Sequence, residues 1–471
     1  MLPFLQTYKS LLLQTSLSLT LTLLLTFLKI PIFFLRGLHT YIHPDNVAPN
    51  TASRQGIRAA IRRPSDSGPG FDGYQSLSSR TNAELKRRNK SKEKFEFDEN
   101  NAQIFRLRLD EGHLQTRLYF NEYNNSFVLS FVGISCFLLF KYYLGESVED
   151  SGVLVNGNLI PVVFGFIALC KVFVSLARVS FEKSASKRSE KQLTAIIGVL
   201  WFFFGIMICF GVIPSVFDFD FSSIDVSWRV FIAAFLGLFA GFLYMPAGKN
   251  ARSFWLGTDQ LRCHLSIVSC GWFERGILYT NYLLTVFTAL LWINPFAHIL
   301  VNKNIDDGKG ASTFISVGDA EKLVGNMGFS RLSFTRFRLL CLLLSAFLQI
   351  VALRPNLQMF LNEAVLCWYQ RLHASKVPDL DFSRAKVFLH NHYLCLALLQ
   401  FFAPPVLVLL FLGLSQIDGN FFDKYLVRGL VPCSAFVQET ALFMAWSIVF
   451  IWAILTTASL IFYRRGTLYV S

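Results

Sequence analysis

Charge is scarce in this chain. Only 16% of its 471 residues are charged while 53% are hydrophobic, against roughly 25% charged in an average soluble domain. That deficit excludes a single soluble globule, and with it a secreted protein, a cytosolic enzyme or a nucleic-acid-binding domain. Catalytic signatures are missing as well. There is no GxSxG, no HExxH, no phosphate loop and no GxGxxG behind a predicted strand. None of the nine cysteines forms a CxxC, and Cys263 and Cys270 stand too far apart for a zinc knuckle. His390 and His392 have no further ligand in reach of sequence and read as ordinary histidines. The expectation is therefore no metal, no cofactor and no enzyme. Paired carboxylates inside the apolar stretches are also absent, which argues against a proton carrier built on acidic relays.

What the chain has in abundance is apolar runs of bilayer length, about 20 residues each. The first runs from Leu11 to Leu28; the others lie near 124–144, 159–178, 193–214, 228–246, 276–294, 337–353, 392–414 and 440–462. The predicted fold class is all-α, a polytopic membrane protein with about nine transmembrane helices, or eight if the first is cleaved as a signal peptide. No small-residue cleavage site follows that first stretch, and Pro31 marks its end, so it reads as a retained helix within residues 1–39. Pro404 and Pro405 fall inside the eighth stretch and predict a kink, since neither donates a backbone hydrogen bond. Residues 40–112 are polar, punctuated by Pro, Gly and Ser, and carry the basic run Lys86-Arg87-Arg88-Asn89-Lys90. They read as a disordered basic linker. Residues 113–471 form the membrane domain. Within it, 253–272 and 356–373 read as amphipathic cytosolic helices that lie on the membrane surface or pack against other cytosolic helices.

The net charge of +13 is explained by loops beside the apolar stretches. The basic loops follow stretches one, three, five and seven and the tail, whereas those after two and four hold Glu146, Glu149 and Asp150, then Asp218, Asp220 and Asp225. This alternation predicts an N-terminus outside or lumenal and a cytosolic C-terminus. The partners it implies are the bilayer itself and anionic headgroups at the basic loops, with a membrane-protein partner or a second copy of the chain beside them and no nucleic acid. Which membrane, endomembrane or plasma membrane, is not encoded in any terminal signal.

Four polar side chains stand out as candidates. Lys171 lies inside the third stretch, seven residues or about 10 Å before Arg178. An intramembrane charge points to function by default, or to a stem that snorkels back to the headgroups. Gln349 and Gln400 sit in mid-stretch, where an amide commonly bonds between helices, and Arg354 opens the segment behind the seventh stretch. Gly237 and Gly241 make a small-xxx-small pair suited to close helix packing.

Five pieces in register resemble the transmembrane protein 161 family, from about residue 115 to 415 with one piece ahead of it. They are Tyr41-Ile42-His43-Pro44; Cys170-Lys171-Val172-Phe173 running to Arg178; Arg229 with Gly241-Phe242-Leu243 and Pro246; Arg354-Pro355-Asn356-Leu357-Gln358; and Leu399-Gln400 with Pro404. The resemblance implies a eukaryotic multi-pass membrane protein and carries no catalytic residue, cofactor or substrate that could be transferred by position. It makes Lys171 and Arg354 stronger candidates for a shared role. The functional expectation is a non-enzymatic accessory or modulator of ion or solute movement; the alternative is a transporter or channel in its own right, with a lipid-modifying enzyme behind both.

Overall fold

The structure, a computed structural model, describes residues 9–43, 58–61, 103–139, 159–182, 188–212, 216–219, 221, 224–258, 270–300, 331–374, 380–417 and 434–468. In chain order its elements are α1 (Lys9–Phe27), α2 (Ile30–Leu35), β1 (His39–Ile42), β2 (Arg58–Ile61), β3 (Ile104–Arg108) and α3 (Glu111–Gln115). There follow α4 (Phe120–Leu139), α5 (Leu159–Phe181), α6 (Arg188–Cys209), α7 (Val226–Thr258), α8 (Trp272–Leu290) and α9 (Asn294–Leu300). The last are α10 (Arg331–Val351), α11 (Leu353–Ala374), α12 (Asp381–His392), α13 (Leu394–Ser415) and α14 (Ser434–Arg464).

A described helix overlaps each of the nine apolar stretches, but six of them are long and apolar enough to cross a membrane among the described residues: α5, α6, α7, α10, α13 and α14. The other three differ for local reasons. The α4 helix opens on Asn121-Glu122 and α8 on Phe273-Glu274-Arg275, and α1 is 19 residues long with many hydroxyl side chains. Within α1 the hydroxyls of Thr15, Ser16, Thr20, Thr22 and Thr26 bond back to carbonyls three or four residues earlier, which hides their polarity inside the helix.

The centre of the bundle is α13. Nearly all of its residues are buried, and α4, α5, α10 and α14 pack around it. Pro404 and Pro405 lie within one continuous helix. At the periphery, α6 shows Ile196, Val199, Leu200 and Phe203 to the outside and packs chiefly on α7. There the glycine pair earns its place: a Cβ on Gly237 would stand 2.7 Å from the Gly198 carbonyl oxygen, so only glycine allows the two backbones so close.

Two expectations change. The fold is not wholly α-helical, because β1, β3 and β2 form an antiparallel sheet in that order, with His39 opposite Arg108 and Arg58 opposite Arg106. The strands fall at the margins and inside the segment read as a disordered linker; its residues 44–57 and 62–102, and the basic run with them, lie outside the described residues. Of the two alternatives for 356–373, it is packing that is observed: the segment is the body of α11, buried on most sides among α7, α12, α13 and β1. Of 253–272, the first residues continue α7 to Thr258, 259–269 lie outside the described residues, and Trp272 starts α8.

Candidate functional site

The α7 helix is 33 residues long, about 50 Å at 1.5 Å per residue, against a hydrocarbon core of about 30 Å. Its last turns therefore overshoot the bilayer and carry Lys249, Asn250 and Arg252 against α11. That helix presents two polar faces. Asn356, Phe360 and Glu363, spaced by four and three, meet α7 and α12; Gln358 and Asn362, spaced by four, meet β1.

On the first face Glu363 is 4% exposed. Its Oε1 accepts from Arg252 Nη1 and lies against Lys386 Nζ, each at 3.2 Å, while His390 Nε2 stands 4.0 Å from Oε2. Lys386 and His390 are four residues apart on α12 and so reach the same point. Arg252 Nε donates to Tyr463 Oη at the end of α14 at 3.1 Å, tying four helices to one carboxylate. The Phe360 ring stacks on the His390 ring at 4.6 Å and lies 5.8 Å from Lys249 Nζ. Lys249 in turn donates to Gln400 Oε1 at 2.7 Å, and Asn356 Nδ2 donates to Asn250 Oδ1 at 2.9 Å.

Electrostatics assign the protons. Burial opposes the charge on Glu363, but the cations Arg252 and Lys386 hold its carboxyl below the usual range. Burial pushes His390 down to about 4, with Glu363 pulling the other way. At neutral pH the site thus holds an ionised carboxylate and a neutral imidazole. The His390 Nδ1 lies 2.9 Å from the Lys386 carbonyl oxygen, which fits a proton on Nδ1 and leaves Nε2 facing Glu363.

The second face joins the sheet. Gln358 exchanges two bonds with the His39 backbone, donating to its carbonyl at 3.1 Å and accepting from its N–H at 2.9 Å. Tyr41 Oη donates to Asn362 Oδ1 at 2.9 Å. Asn391 of α12 donates to the Tyr41 carbonyl and accepts from Thr40 Oγ1. Burial lifts the Tyr41 phenol to about 12, so it stays a neutral donor. The chemistry available is that of a buried ionic clamp between helices, with more cations than the one carboxylate; among the described residues no group of His, Cys, Asp and Glu could hold a metal ion.

Of the four sequence candidates, only Gln400 enters this cluster. Lys171 lies elsewhere, donating at 2.8 Å to Glu122 Oε1, which also accepts from Ser175 at 2.9 Å and lies 3.8 Å from Arg178. An acidic partner for Lys171 therefore exists two residues ahead of the apolar stretch at 124. Gln349 bonds Thr285 and Ser345 in a polar seam between α8 and α10. Arg354 is on the surface, its Nη2 donating to the Arg36 carbonyl at 3.3 Å. Sequence reading missed Glu363, Arg252, Lys249, Lys386 and Tyr41; the i, i+4 pair Lys386/His390 facing the lone acid of α11 is the signal that could have found them.

Residues 214–441, a stretch that holds α7 through α13 and most of this cluster, match the family model described as Predicted transmembrane protein 161AB. No solved structure matches the chain.

Proposed function

As a member of the transmembrane protein 161 family this chain is an integral membrane protein, and we propose that it is a non-enzymatic accessory or modulator of ion or solute movement rather than the conduit itself. The observation that carries this reading is how the bundle uses its polar groups. Lys171, Gln349 and Gln400 are each engaged by a side chain of a neighbouring helix, and the centre is filled by α13. Side chains spent on helix–helix contact stabilise an assembly; a pathway would keep them turned to a cavity.

In this reading α1, α4 and α8 cross the membrane together with the six longer helices, giving nine crossings with the N-terminus outside and the C-terminus cytosolic. Supporting it, Lys29, Glu122, Arg252 and Arg464 all fall at the ends of long helices that alternate along the chain, and the basic loops gather on that side. Anionic headgroups are the proposed partners of those loops.

The test is flux and current recording on the full-length protein purified into liposomes, beside whole-cell recording with and without it. Silent liposomes together with altered cellular currents or uptake support a modulator. Conductance or uptake by the purified protein that changes in Lys171→Leu overturns it in favour of a transporter. Orientation has its own check: glycan addition at Asn89-Lys90-Ser91 would place the 40–112 segment outside and overturn the topology.

A further inference from the structure

Between α4, α10 and α13 runs an apolar groove of about 260 Å³. Its floor is α13, where Leu409 and Leu412 are buried, and its walls are open: Leu138, Leu340 and Phe347 are each close to half exposed. On α10, a candidate membrane span, the lining runs from Arg336 to Phe347. That is eleven residues, or about 16 Å along the helix, so the groove is long, narrow and parallel to a helix that crosses the bilayer. What lies beside it is lipid.

The groove is polar at one end only. Arg336 and Gln416 are the polar side chains in its lining, the first near the start of α10 and the second just past the end of α13, so both mark the same mouth. The neighbouring Arg338, two residues on, turns to the opposite side of α10 and is occupied: it pairs with Asp218 at 2.5 Å and lies over the Phe334 and Trp292 rings. Arg336 has no ion pair among the described residues. A guanidinium at headgroup depth above an apolar slot is complementary to a phosphate on a hydrocarbon chain. The slot also has a fixed inner wall, since Phe137 is seated against Gly413, where a Cβ would come within 2.7 Å of the ring. The depth of the groove is thus set by packing and not by a mobile side chain.

We propose that this groove holds one acyl chain of an anionic phospholipid, with the phosphate bound by Arg336 and Gln416 at the end of the bundle opposite the Glu363 cluster. The site is distinct from headgroup attraction to the basic loops, which lie at the other end, and it stands whether the protein modulates transport or conducts. The chain occupies the slot and the headgroup selects the lipid.

The experiment is native mass spectrometry on the full-length protein, delipidated in detergent and titrated with phosphatidylglycerol or phosphatidylcholine. The expected result is retention of one phosphatidylglycerol per chain with about tenfold preference over phosphatidylcholine, the scale of one charge-assisted contact. Arg336→Ala lowers phosphatidylglycerol to the level of phosphatidylcholine, and Leu343→Trp, which fills the slot, removes both. Should Leu343→Trp elute as misfolded protein, Leu340→Trp takes its place, because that side chain is half exposed, and quenching of its fluorescence by brominated phosphatidylglycerol reports occupancy directly. Equal retention of both lipids in wild type and Arg336→Ala, or no lipid retained by wild type, overturns the proposal.

Discussion

At the basic end of the bundle Glu363 is a carboxylate surrounded by cations that come from α7 and α12, with Tyr463 of α14 behind them. At the acidic end Arg338 is a guanidinium surrounded by rings, and its acidic partner Asp218 is about half exposed. Both ions are buried, yet their neighbourhoods differ in kind. The first is compensated by a largely buried Lys386 and a partly exposed Arg252 that share one buried carboxylate, so loss of that carboxylate strands both. The second is compensated by ring faces and by an anion that water also solvates, so either can be lost at modest cost. In the first arrangement a small change reaches four helices; in the second it stays local.

The largest break in the comparison comes from Glu363→Ala. It leaves Arg252 and Lys386 facing one another without their shared carboxylate and is expected to cost about 3–5 kcal/mol, read as a fall in the thermal unfolding midpoint of the detergent-solubilised protein. Glu363→Gln, which keeps the shape, falls less. Equal stability of wild type and alanine variant would show that the cluster is not a clamp.

Next in size is the pH dependence. His390 is held near 4 in the folded chain and titrates near 6.5 when unfolded. The unfolded state therefore takes up the proton first as pH falls. The contribution is complete above about 6.5 and is lost progressively toward 4, with about 2 kcal/mol gone at pH 5. Glu363, also held below its usual range, adds a loss only at still lower pH. His390→Gln should flatten the midpoint between pH 7.5 and 5; an unchanged slope would mean the imidazole is not buried neutral.

The smallest effect belongs to the acidic end. Arg338→Met keeps apolar contact with Phe334 and Trp292 and leaves Asp218 to water, for a change of about 1 kcal/mol. A loss as large as that of Glu363→Ala would erase the contrast between the two ends.

The positions of the long helices were legible in the sequence because a run of apolar residues has few other solutions, and the Gly237 motif pointed to close packing for the same reason. The sheet was not. Each strand is four or five residues long, and His39 pairs with Arg108 across almost seventy residues, a distance over which no local pattern can signal. The site was hidden by a different ambiguity. Asn356, Asn362 and Glu363 on one amphipathic segment look like a solvent face, and only the meeting with Arg252, Lys386 and Tyr41 turns that face inward. Lys249 and Arg252 were legible only as loop charges, since hydropathy ends the fifth stretch near Pro246 while the helix continues to Thr258.

The enclosure of α13 has a consequence for biosynthesis. Among the described long apolar helices only α14 follows it in the chain, yet it occupies the middle of the bundle. The helices α4, α5 and α10 are already in place when it arrives, but α14, which covers its remaining flank, is still being translated. Closure of the bundle thus waits for α14. A stop codon ahead of Ser434 would remove the whole of α14 and leave that flank of the central helix facing lipid, a product suited to recognition by membrane quality control.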